Sequence, residues 1–270
     1  MQQQMTASFL AKGKVYLVGS GPGDPGLLTL EAARLLQTAD VIFHDDLVSP
    51  EILTLIPERV YLENVGKRCG HARVGQQQIH SLMINAARDG WTVVRLKSGD
   101  PLIFGRAGEE VEALRQAGIE YEIVPGITAA FAAAARAGIS LTDRRSASKL
   151  VFLSNHQCAG KTSFDWESVC SRDTTAVIYM PGADYEGLAA RLSGHGFGPR
   201  TPCLLVSHAT EAQQEIHFTL LASLPEAPKF AAPLVLIVGA VVACYGGPTS
   251  SPVHLAKLNR LDVDLELAGA

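Results

Sequence analysis

Cysteine is scarce in this chain, and neither sign of charge dominates it. Five cysteines are spread over 270 residues without a Cys-x-x-Cys pair. An odd number of unpaired cysteines predicts reduced thiols in the cytoplasm rather than a disulfide framework or a recognisable zinc site, and we expect no metal. The formal net charge is −4, so no broad basic face is expected for nucleic acid.

Long apolar runs are also missing. The most apolar segment, 231–244, contains Pro233 and Gly239 and is too short to span a bilayer, so it predicts a buried strand and no membrane association. The start of the chain lacks a basic region followed by an apolar core, so it does not predict a signal peptide.

The chain does contain a regular alternation of apolar strands and amphipathic helices, which predicts an α/β fold with a parallel sheet and crossover connections. A polar, basic, turn-rich segment at 138–149 marks a joint, so we expect two α/β domains, 13–138 and 139–247, with tails at 1–12 and 248–270. The predicted helices are 27–38, 49–56, 76–88, 107–117, 127–137 and 185–193. The predicted strands are 15–18, 41–43, 59–62, 92–96, 121–124, 150–154, 175–179, 203–207, 215–220 and 234–242.

Two turn-rich loops follow predicted strands. One, at 21–26, reads Gly-Pro-Gly-Asp-Pro-Gly, and the other has Gly-Asp-Pro at 99–101. Loops at the carboxyl ends of parallel strands hold ligands in open α/β sheets. After the second loop, helical spacing puts Glu109 and Glu110 near Arg106, although a capped helix with a surface salt bridge is the simpler explanation of that spacing.

The first loop satisfies Gly-x-Gly-x-x-Gly, and Asp45 follows about twenty residues later, as in a dinucleotide-binding fingerprint. However, Pro22 and Pro25 have no N–H to offer a diphosphate, and Asp24 brings a carboxylate to where phosphate oxygens would bind. A ligand with a positive centre and no phosphate, such as S-adenosylmethionine, suits the loop better. The glycines also fit an ordinary turn, so the loop alone leaves these interpretations open.

Basic residues are concentrated beside three predicted loops, although the whole chain is acidic. They are Lys67, Arg68, His71 and Arg73, then Arg95 and Lys97, then Arg144, Arg145 and Lys149. Scattered surface charge would account for each group, and the three together would also suit a polyanionic small molecule.

Six motifs occur in a characteristic order and spacing at 15–29, 44–48, 65–68, 95–101, 104–110 and 124–128. Among them are Val-Gly-Ser-Gly-Pro-Gly-Asp-Pro-Gly, His-Asp-Asp-Leu-Val, Arg-Leu-Lys-Ser-Gly-Asp-Pro and Phe-Gly-Arg-Ala-Gly-Glu-Glu. With these motifs, residues 13–245 resemble the uroporphyrinogen-III C-methyltransferases of the tetrapyrrole methylase superfamily.

The resemblance implies the tetrapyrrole methylase (class III methyltransferase) fold. It implies a homodimer with S-adenosyl-L-methionine, and S-adenosyl-L-homocysteine as its product, in a cleft between the two domains. The implied reaction is C-methylation of uroporphyrinogen III at C2 and then C7, giving precorrin-2 via precorrin-1 for sirohaem, cobalamin or haem d1. The alternatives are a methyltransferase for a later corrin precursor and, outside the superfamily, an NAD-dependent dehydrogenase.

Matching motifs also assign site residues. The resemblance implies a cofactor pocket lined by Pro22, Ser98, Gly99, Asp100, Ile103, Thr128, Ala129, Met180 and Ala209. It implies the catalytic residues Asp45 and Lys67, as proton acceptor and donor, and Arg106, Glu109 and Arg144, which hold or deprotonate the macrocycle. The methylated macrocycle must lose a proton, and Glu109 beside Arg106 is favoured as the base on geometric grounds, with Asp45 as the alternative.

Overall fold

The computed structural model describes residues 13–68, 71–72, 75–155, 171 and 173–244, and the side chains of 67–68 and 71–72 lie outside that description. The chain divides into two compact units, Met1–Ala129 and Ala130–Ala270. This division falls near the start of the helix at 129–137, whereas the polar segment at 138–149 predicts a joint after it. The expected tails at 1–12 and 248–270 lie outside the described residues.

The first unit is built on a parallel sheet. Its strands are β1 (Lys14–Gly19), β2 (Val41–His44), β3 (Tyr61–Asn64), β6 (Thr92–Lys97) and β7 (Glu120–Val124), and two short strands, β4 (Lys67–Arg68) and β5 (His71–Ala72), pair separately. The five-stranded sheet has the order β3-β2-β6-β1-β7, with every pair parallel. The helices are α1 (Leu30–Thr38), α2 (Pro50–Leu53), α3 (Gln76–Arg88) and α4 (Ala107–Gln116). The parallel α/β alternation predicted for this part of the chain is confirmed.

Both faces of this sheet are covered, as expected for parallel strands joined by helices. Successive residues of β6 point to opposite faces. Val93 packs in a core cluster with residues of α3 and α4, and Val94 and Leu96 pack in a second cluster with residues of α1. Arg95 and Lys97 share the face of Val93, and they are only 2% and 3% exposed. Two basic side chains therefore lie within a layer that is otherwise a hydrophobic core.

Helix α1 begins later than its predicted start at residue 27. Pro25–Leu27 form a 3-10 turn, and Thr29 caps α1 by accepting a hydrogen bond from the Ala32 N–H at 3.1 Å. Such a cap satisfies a helix donor that has no partner within the helix. Leu30, the first residue of α1, is 92% exposed, so it lies outside the buried face formed by Ala32, Leu35 and Leu36.

The second unit contains a mixed sheet. Its elements are α5 (Ala129–Ala137), β8 (Lys149–Ser154), β9 (Thr174–Tyr179), α6 (Tyr185–Gly194), β10 (Pro202–Ser207), β11 (Glu215–Leu220), β12 (Leu234–Val238) and α7 (Val241–Cys244). The strand order is β11-β10-β12-β9-β8, with β8 and β9 parallel and the other pairs antiparallel. Residues 208–214 are too few for a crossover helix, so β10 and β11 pair antiparallel.

The apolar run at 231–244 is not one strand. Strand β12 ends at Val238, Gly239 adopts a φ of +147°, and α7 follows. A Cβ on Gly239 would lie 2.8 Å from the carbonyl oxygen of Thr174, so both conformation and space require glycine. The prediction of a continuous strand is therefore wrong beyond Val238. Within the described ranges, no helix combines the length and apolarity needed to cross a bilayer.

Candidate functional site

The two turn-rich loops meet at the carboxyl edge of the parallel sheet. Strands β1 and β6 are neighbours, and the loops that follow them pair through their backbones. The Gly21 N–H donates to the Gly99 oxygen at 3.2 Å, and the Gly99 N–H donates to the Gly21 oxygen at 2.8 Å. Their φ angles are +69° and +68°, which glycine adopts at little cost. The two loops therefore form one structural element at the edge where ligands bind in such sheets.

Glycines also allow three chain segments to pack closely at this edge. A Cβ on Gly19 would lie 2.6 Å from both the Gly126 nitrogen and the Gly99 oxygen, and a Cβ on Gly126 would lie 2.3 Å from the Gly99 oxygen. Glycines in such positions mark close approach of one backbone to another or to a ligand. The end of β1 and the loops after β6 and β7 thus depend on one another for their positions.

Asp100 links two of these loops through its side chain. Its Oδ1 accepts a hydrogen bond from the Leu102 N–H at 2.8 Å, and its Oδ2 accepts one from the Gly126 N–H at 3.0 Å. Both carboxylate oxygens are therefore engaged by the backbone of the protein. Asp100 therefore stabilises the conformations of the loops after β6 and β7.

The structure brings together the expected cofactor positions of the first unit. They lie in the loops after β1, β6 and β7 or at the start of α5: Pro22, Ser98, Gly99, Asp100, Ile103, Thr128 and Ala129. In the second unit, Met180 directly follows β9, and Ala209 lies just after β10. Because β9 and β10 both run antiparallel to β12, these two residues lie at the same edge of the second sheet.

Positive φ angles occur at or beside these expected positions. Among the described non-glycine residues they are found at Phe104 (+53°), Arg106 (+58°), Met180 (+51°), His208 (+47°) and Thr210 (+78°). The last two flank Ala209, and the first follows Ile103. Such conformations are costly for residues with a Cβ, and they cluster at functional loops. Strained backbone conformations therefore occur, in both units, in the loops where the sequence analysis places cofactor-binding residues.

The Gly-rich loop does not suit a diphosphate. The Gly26 N–H donates to Asp24 Oδ1 at 2.8 Å, and the two prolines have no N–H. Helix α1 begins after the loop and already has Thr29 as its cap. Asp45, which would bind the ribose in a dinucleotide site, is paired with Arg95. The first contacts occupy N–H groups that a pyrophosphate needs at a helix N-terminus, and the ion pair with Arg95 engages the acid that would bind the ribose, so the geometry disfavours the dehydrogenase alternative.

Asp45, Arg95, Lys97 and Glu110 form what we call the buried charge network. Arg95 Nε donates to Glu110 Oε1 at 2.9 Å, and Arg95 Nη2 donates to Asp45 Oδ1. Lys97 Nζ lies 3.0 Å from Glu110 Oε2 and 3.9 Å from Asp45 Oδ2. The side chains of Arg95 and Lys97 are each 3% exposed, that of Glu110 is 0% exposed, and that of Asp45 is 30% exposed. Asp45 is the member of the network that reaches the surface.

Burial and neighbouring charges set the pKa values of the two bases in this network. Burial lowers the pKa of Lys97, and the nearby Arg95 guanidinium lowers it further. Burial also opposes the charged form of Arg95, but the carboxylates of Asp45 and Glu110 outweigh it and raise the pKa of Arg95. This network is not predicted in the sequence analysis above, although two bases in a strand buried on both faces are its signal.

The structure confirms one of the two contacts predicted for Arg106. Its Nε and Nη2 donate to Glu109 at 2.8 and 2.6 Å. The prediction for Glu110 is wrong, because its carboxylate binds Arg95 and Lys97 inside the unit. The Arg106 and Glu109 side chains are 50% and 51% exposed, so an anion can approach this guanidinium from solvent.

Arg144 and Lys67 complete the expected catalytic set. Arg144 is exposed and lies in a turn of the second unit, where the Ala147 N–H donates to the Asp143 oxygen at 2.8 Å. Asp143 is buried and accepts from Arg145 Nη2 at 2.9 Å. The backbone of Lys67 lies in β4, but its side chain falls outside the described residues. No group of three or more His, Cys, Asp or Glu side chains in the described part of the chain is placed to hold a metal ion.

Relatives of known name match most of this chain. Residues 14–225 match the family described as tetrapyrrole (corrin/porphyrin) methylases. The chain is 42% identical over 266 residues to a siroheme synthase of Tolumonas auensis, covering 96% of this chain and 57% of the relative. It is 44% identical over 235 residues to an Arabidopsis thaliana protein named S-adenosyl-L-methionine-dependent uroporphyrinogen III methyltransferase, chloroplastic, covering 85% and 64%. The chain thus spans about half the length of the siroheme synthases it matches.

Solved structures show the same fold. A uroporphyrin-III C-methyltransferase of Thermus thermophilus complexed with S-adenyl homocysteine matches with a TM-score of 0.74 and 36% identity, covering 85% of this chain and 93% of that one. A cobalt precorrin-4 methyltransferase of cobalamin biosynthesis matches with a TM-score of 0.76 and 26% identity, covering 85% and 95%. The fold class expected from the sequence is confirmed.

Proposed function

The chain belongs to the tetrapyrrole (corrin/porphyrin) methylase family, and from this premise we propose that it is an S-adenosyl-L-methionine-dependent C-methyltransferase of uroporphyrinogen III. It would methylate C2 and then C7, giving precorrin-2 via precorrin-1. The observation that carries the proposal is the 44% identity, across 85% of the chain, to a relative named for this activity. The product would serve sirohaem, cobalamin or haem d1 synthesis.

Sequence identity, more than fold, supports this substrate. The TM-score is 0.76 for the precorrin-4 enzyme and 0.75 for the native Thermus thermophilus uroporphyrin-III enzyme, so the backbone does not separate the two substrates. Identity is 26% for the former and 38% for the latter. Since one fold can host several substrates, the side chains favour uroporphyrinogen III over a later corrin precursor.

The carboxyl edge of the first unit fits S-adenosylmethionine as the cofactor. Its Gly-rich loop is poor in backbone donors for phosphate, and the ligand has no phosphate. Gly21 and Gly99, whose backbones pair, have no side chains that would keep a ligand at a distance, and Pro22, Ile103 and Thr128 lie in the same loops or in the next one. We also propose Met180 and Ala209 of the second unit as cofactor-binding residues, as the resemblance implies. When bound, the cofactor would supply the methyl group from its sulfonium.

We assign the acidic macrocycle to the exposed basic residues. Uroporphyrinogen carries eight carboxylates, and a guanidinium can bind a carboxylate through two parallel hydrogen bonds. Arg106 and Arg144 are both exposed, and Glu109 would orient Arg106 through their pair of hydrogen bonds. In-line methyl transfer needs the reacting atoms at roughly 3–3.5 Å, so such positioning is a large part of the catalysis.

We propose Asp45, rather than Glu109, as the group that accepts the proton from the macrocycle. Both acids are paired with an arginine, and what supports this choice is that the Arg95 side chain holding Asp45 is only 3% exposed, whereas the Arg106 side chain holding Glu109 is itself 50% exposed. A base needs a fixed position within hydrogen-bond reach of its proton. Lys67 remains the proton donor implied by the family motif.

We further propose that the protein is a cytoplasmic homodimer, as the resemblance implies. The exposed apolar side chains Leu47 and Tyr61, at 54% and 57%, are available to a second copy of the chain. Light scattering on the purified protein should then give twice the mass of one chain, and a monomer at micromolar concentration would contradict the proposal.

The activity is tested by incubating the purified chain anaerobically with uroporphyrinogen III and methyl-labelled S-adenosylmethionine. We expect two labelled methyl groups per macrocycle and S-adenosylhomocysteine as the second product. Label in cobalt precorrin-4 but not in uroporphyrinogen III would support the alternative substrate. Binding of NADH, together with no labelled product from either macrocycle, would overturn the assignment.

A further inference from the structure

The buried charge network extends from the centre of the first unit to its surface, and its contacts are unevenly distributed. Glu110, at 0% exposure, lies at the inner end, and Asp45, at 30% exposure, lies at the outer end. Arg95 contacts both carboxylates, while Lys97 binds Glu110 and stays 3.9 Å from Asp45. Of the two bases, Arg95 is therefore the one that directly holds the exposed carboxylate.

The position of Arg95 is fixed from several directions. Its Nε donates to Glu110 Oε1, and its Nη1 donates to the backbone oxygens of Phe43 and Leu96, each at 3.3 Å. A guanidinium carries five N–H donors in a rigid planar fork. With these bonds formed, the guanidinium cannot shift without breaking contacts to β2, β6 and α4. The remaining direction of the fork is the one that Asp45 occupies.

Two carboxylates and two basic side chains also balance in charge when all four are ionised. Glu110 lies between Arg95 and Lys97, with both Arg95 Nε and Lys97 Nζ within 3.1 Å of its oxygens. Without this acid, two like charges would lie together in the core, which is strongly unfavourable. The inner acid therefore permits a cation to be buried behind Asp45.

Stability alone is a poor reason for this arrangement. Buried ion pairs seldom stabilise a protein more than apolar residues of similar size would. The charge balance of the network does not require its second acid to be exposed, yet that acid, Asp45, is 30% exposed and lies at the ligand-binding edge of the sheet. The geometry is that of a support for a carboxylate that has to stay in one place.

We propose that Arg95 is a positioning residue for Asp45, and that Glu110 and Lys97 hold Arg95 in place. This inference rests on the proposed function, in which Asp45 accepts the proton. Because its side chain is only 3% exposed, Arg95 would contact neither the cofactor nor the macrocycle and would act through the direction in which it holds the Asp45 carboxylate. Displacement of a reacting group by about 1 Å can cost roughly a hundredfold in rate.

The test compares Arg95→Lys with Val93→Ala in the labelled-methyl assay. Lysine keeps the charge but cannot bind Glu110, Asp45 and two carbonyls at once, so we expect kcat to fall about 10- to 100-fold. KM for the macrocycle and the Kd for S-adenosylhomocysteine should stay within threefold. Val93 lies two positions earlier on the same face of β6 and is fully buried, so Val93→Ala should lower the melting temperature with little effect on kcat.

A double-mutant cycle separates positioning from general damage. If Arg95 acts through Asp45, Arg95→Lys should change the residual kcat of Asp45→Asn less than twofold, because the group being positioned is already gone. If the two losses multiply in full, the inference is overturned. Should Arg95→Lys fail to fold, Arg95→Gln replaces it in the same cycle, because Lys97 still neutralises the buried Glu110 while the support of Asp45 is lost.

The two proposals fail in different ways. If the unaltered protein transfers no methyl group to uroporphyrinogen III, the proposed function is wrong, and the inference fails with it. If the unaltered protein is active and Arg95→Lys keeps its full kcat, only the inference is wrong.

Discussion

Gly126→Ala probes the closeness of the backbones at the carboxyl edge of the first sheet. Gly126 is not among the glycines with positive φ, so its conformation tolerates alanine and the conflict is purely spatial. The added Cβ would lie 2.3 Å from the Gly99 oxygen, whereas ordinary contact begins at 3.4 Å. The loops must therefore separate by about 1 Å. Because the same oxygen accepts the Gly21 N–H at 3.2 Å, the pairing of the two signature loops would be lost or distorted.

The expected cost has two parts. Overpacking of this kind destabilises a fold by about 1–3 kcal/mol, which should appear as a lower melting temperature. The loops that would hold the cofactor also move, so we expect the affinity for S-adenosylhomocysteine to fall at least tenfold, equivalent to about 1.4 kcal/mol. Isothermal titration of the folded variant measures this affinity separately from stability.

A matched control is Gly194→Ala. Gly194 ends helix α6, and a Cβ there meets nothing within 4 Å, so alanine should keep the affinity and raise the stability by up to about 1 kcal/mol. If Gly126→Ala is destabilised but binds S-adenosylhomocysteine within threefold of the unaltered protein, the reasoning fails. The loops would then pack closely for structural reasons, and the cofactor would bind elsewhere.

Three further outcomes are expected. Arg106→Ala should reduce methyl transfer by at least a hundredfold and leave the Kd for S-adenosylhomocysteine within a few-fold; a large loss of cofactor binding would reassign this residue. Hydrogen bonds, first of all from the Ser171 hydroxyl, hold the pKa of Asp173 below its ordinary value of 3.8, so this carboxylate stabilises the fold above that pH and ceases to do so as pH falls below it. The difference in melting temperature between the unaltered protein and Asp173→Asn should accordingly shrink on acidification, and a constant difference would contradict the assignment. Burial raises the pKa of the Cys203 thiol well above its ordinary range, so mass spectrometry after iodoacetamide should find the exposed Cys244 alkylated and Cys203 alkylated only after unfolding.

Apolar periodicity and turn residues in the sequence predicted the bounds of those helices and strands that end at residues nearby in the chain. Helix α3 runs from Gln76 to Arg88, as its apolar period indicates, and strand β11 also has its predicted bounds, Glu215–Leu220. The errors come from tertiary or turn effects. The strand predicted to continue past Val238 stops because Gly239 packs against the Thr174 carbonyl, and that contact lies more than sixty residues away in the chain.

The loops of the candidate site were predictable for a different reason. Glycine, proline and aspartate restrict the backbone through their own side chains, so the turns at 21–26 and 99–101 can be identified without knowing their partners. That these turns pair with each other follows from the adjacency of β1 and β6, which composition does not reveal. The resemblance to a known family supplied the residue roles, and those roles remain proposals for this chain.

The partner of Glu110 can be predicted from the sequence if the periodic pattern of buried positions in helices and strands is applied to charged residues as well as apolar ones. In α4 the buried positions are Ala107, Glu110 and Leu114, an interval of three and then four, so Glu110 occupies the apolar stripe that faces the core. In β6 the alternation places Arg95 on the buried face of Val93. An acid in the apolar stripe of a helix and a base on the inward face of the preceding strand must meet, because neither can be buried alone.

Spacing within the helix pointed to Arg106 instead, since that rule compares residues on one element and takes no account of which face is buried. For a buried charged residue, the face of the helix or strand that is buried therefore predicts the partner better than spacing along one helix does. Here it identifies Arg95 as the partner of Glu110, and Arg95 in turn binds the exposed acid Asp45.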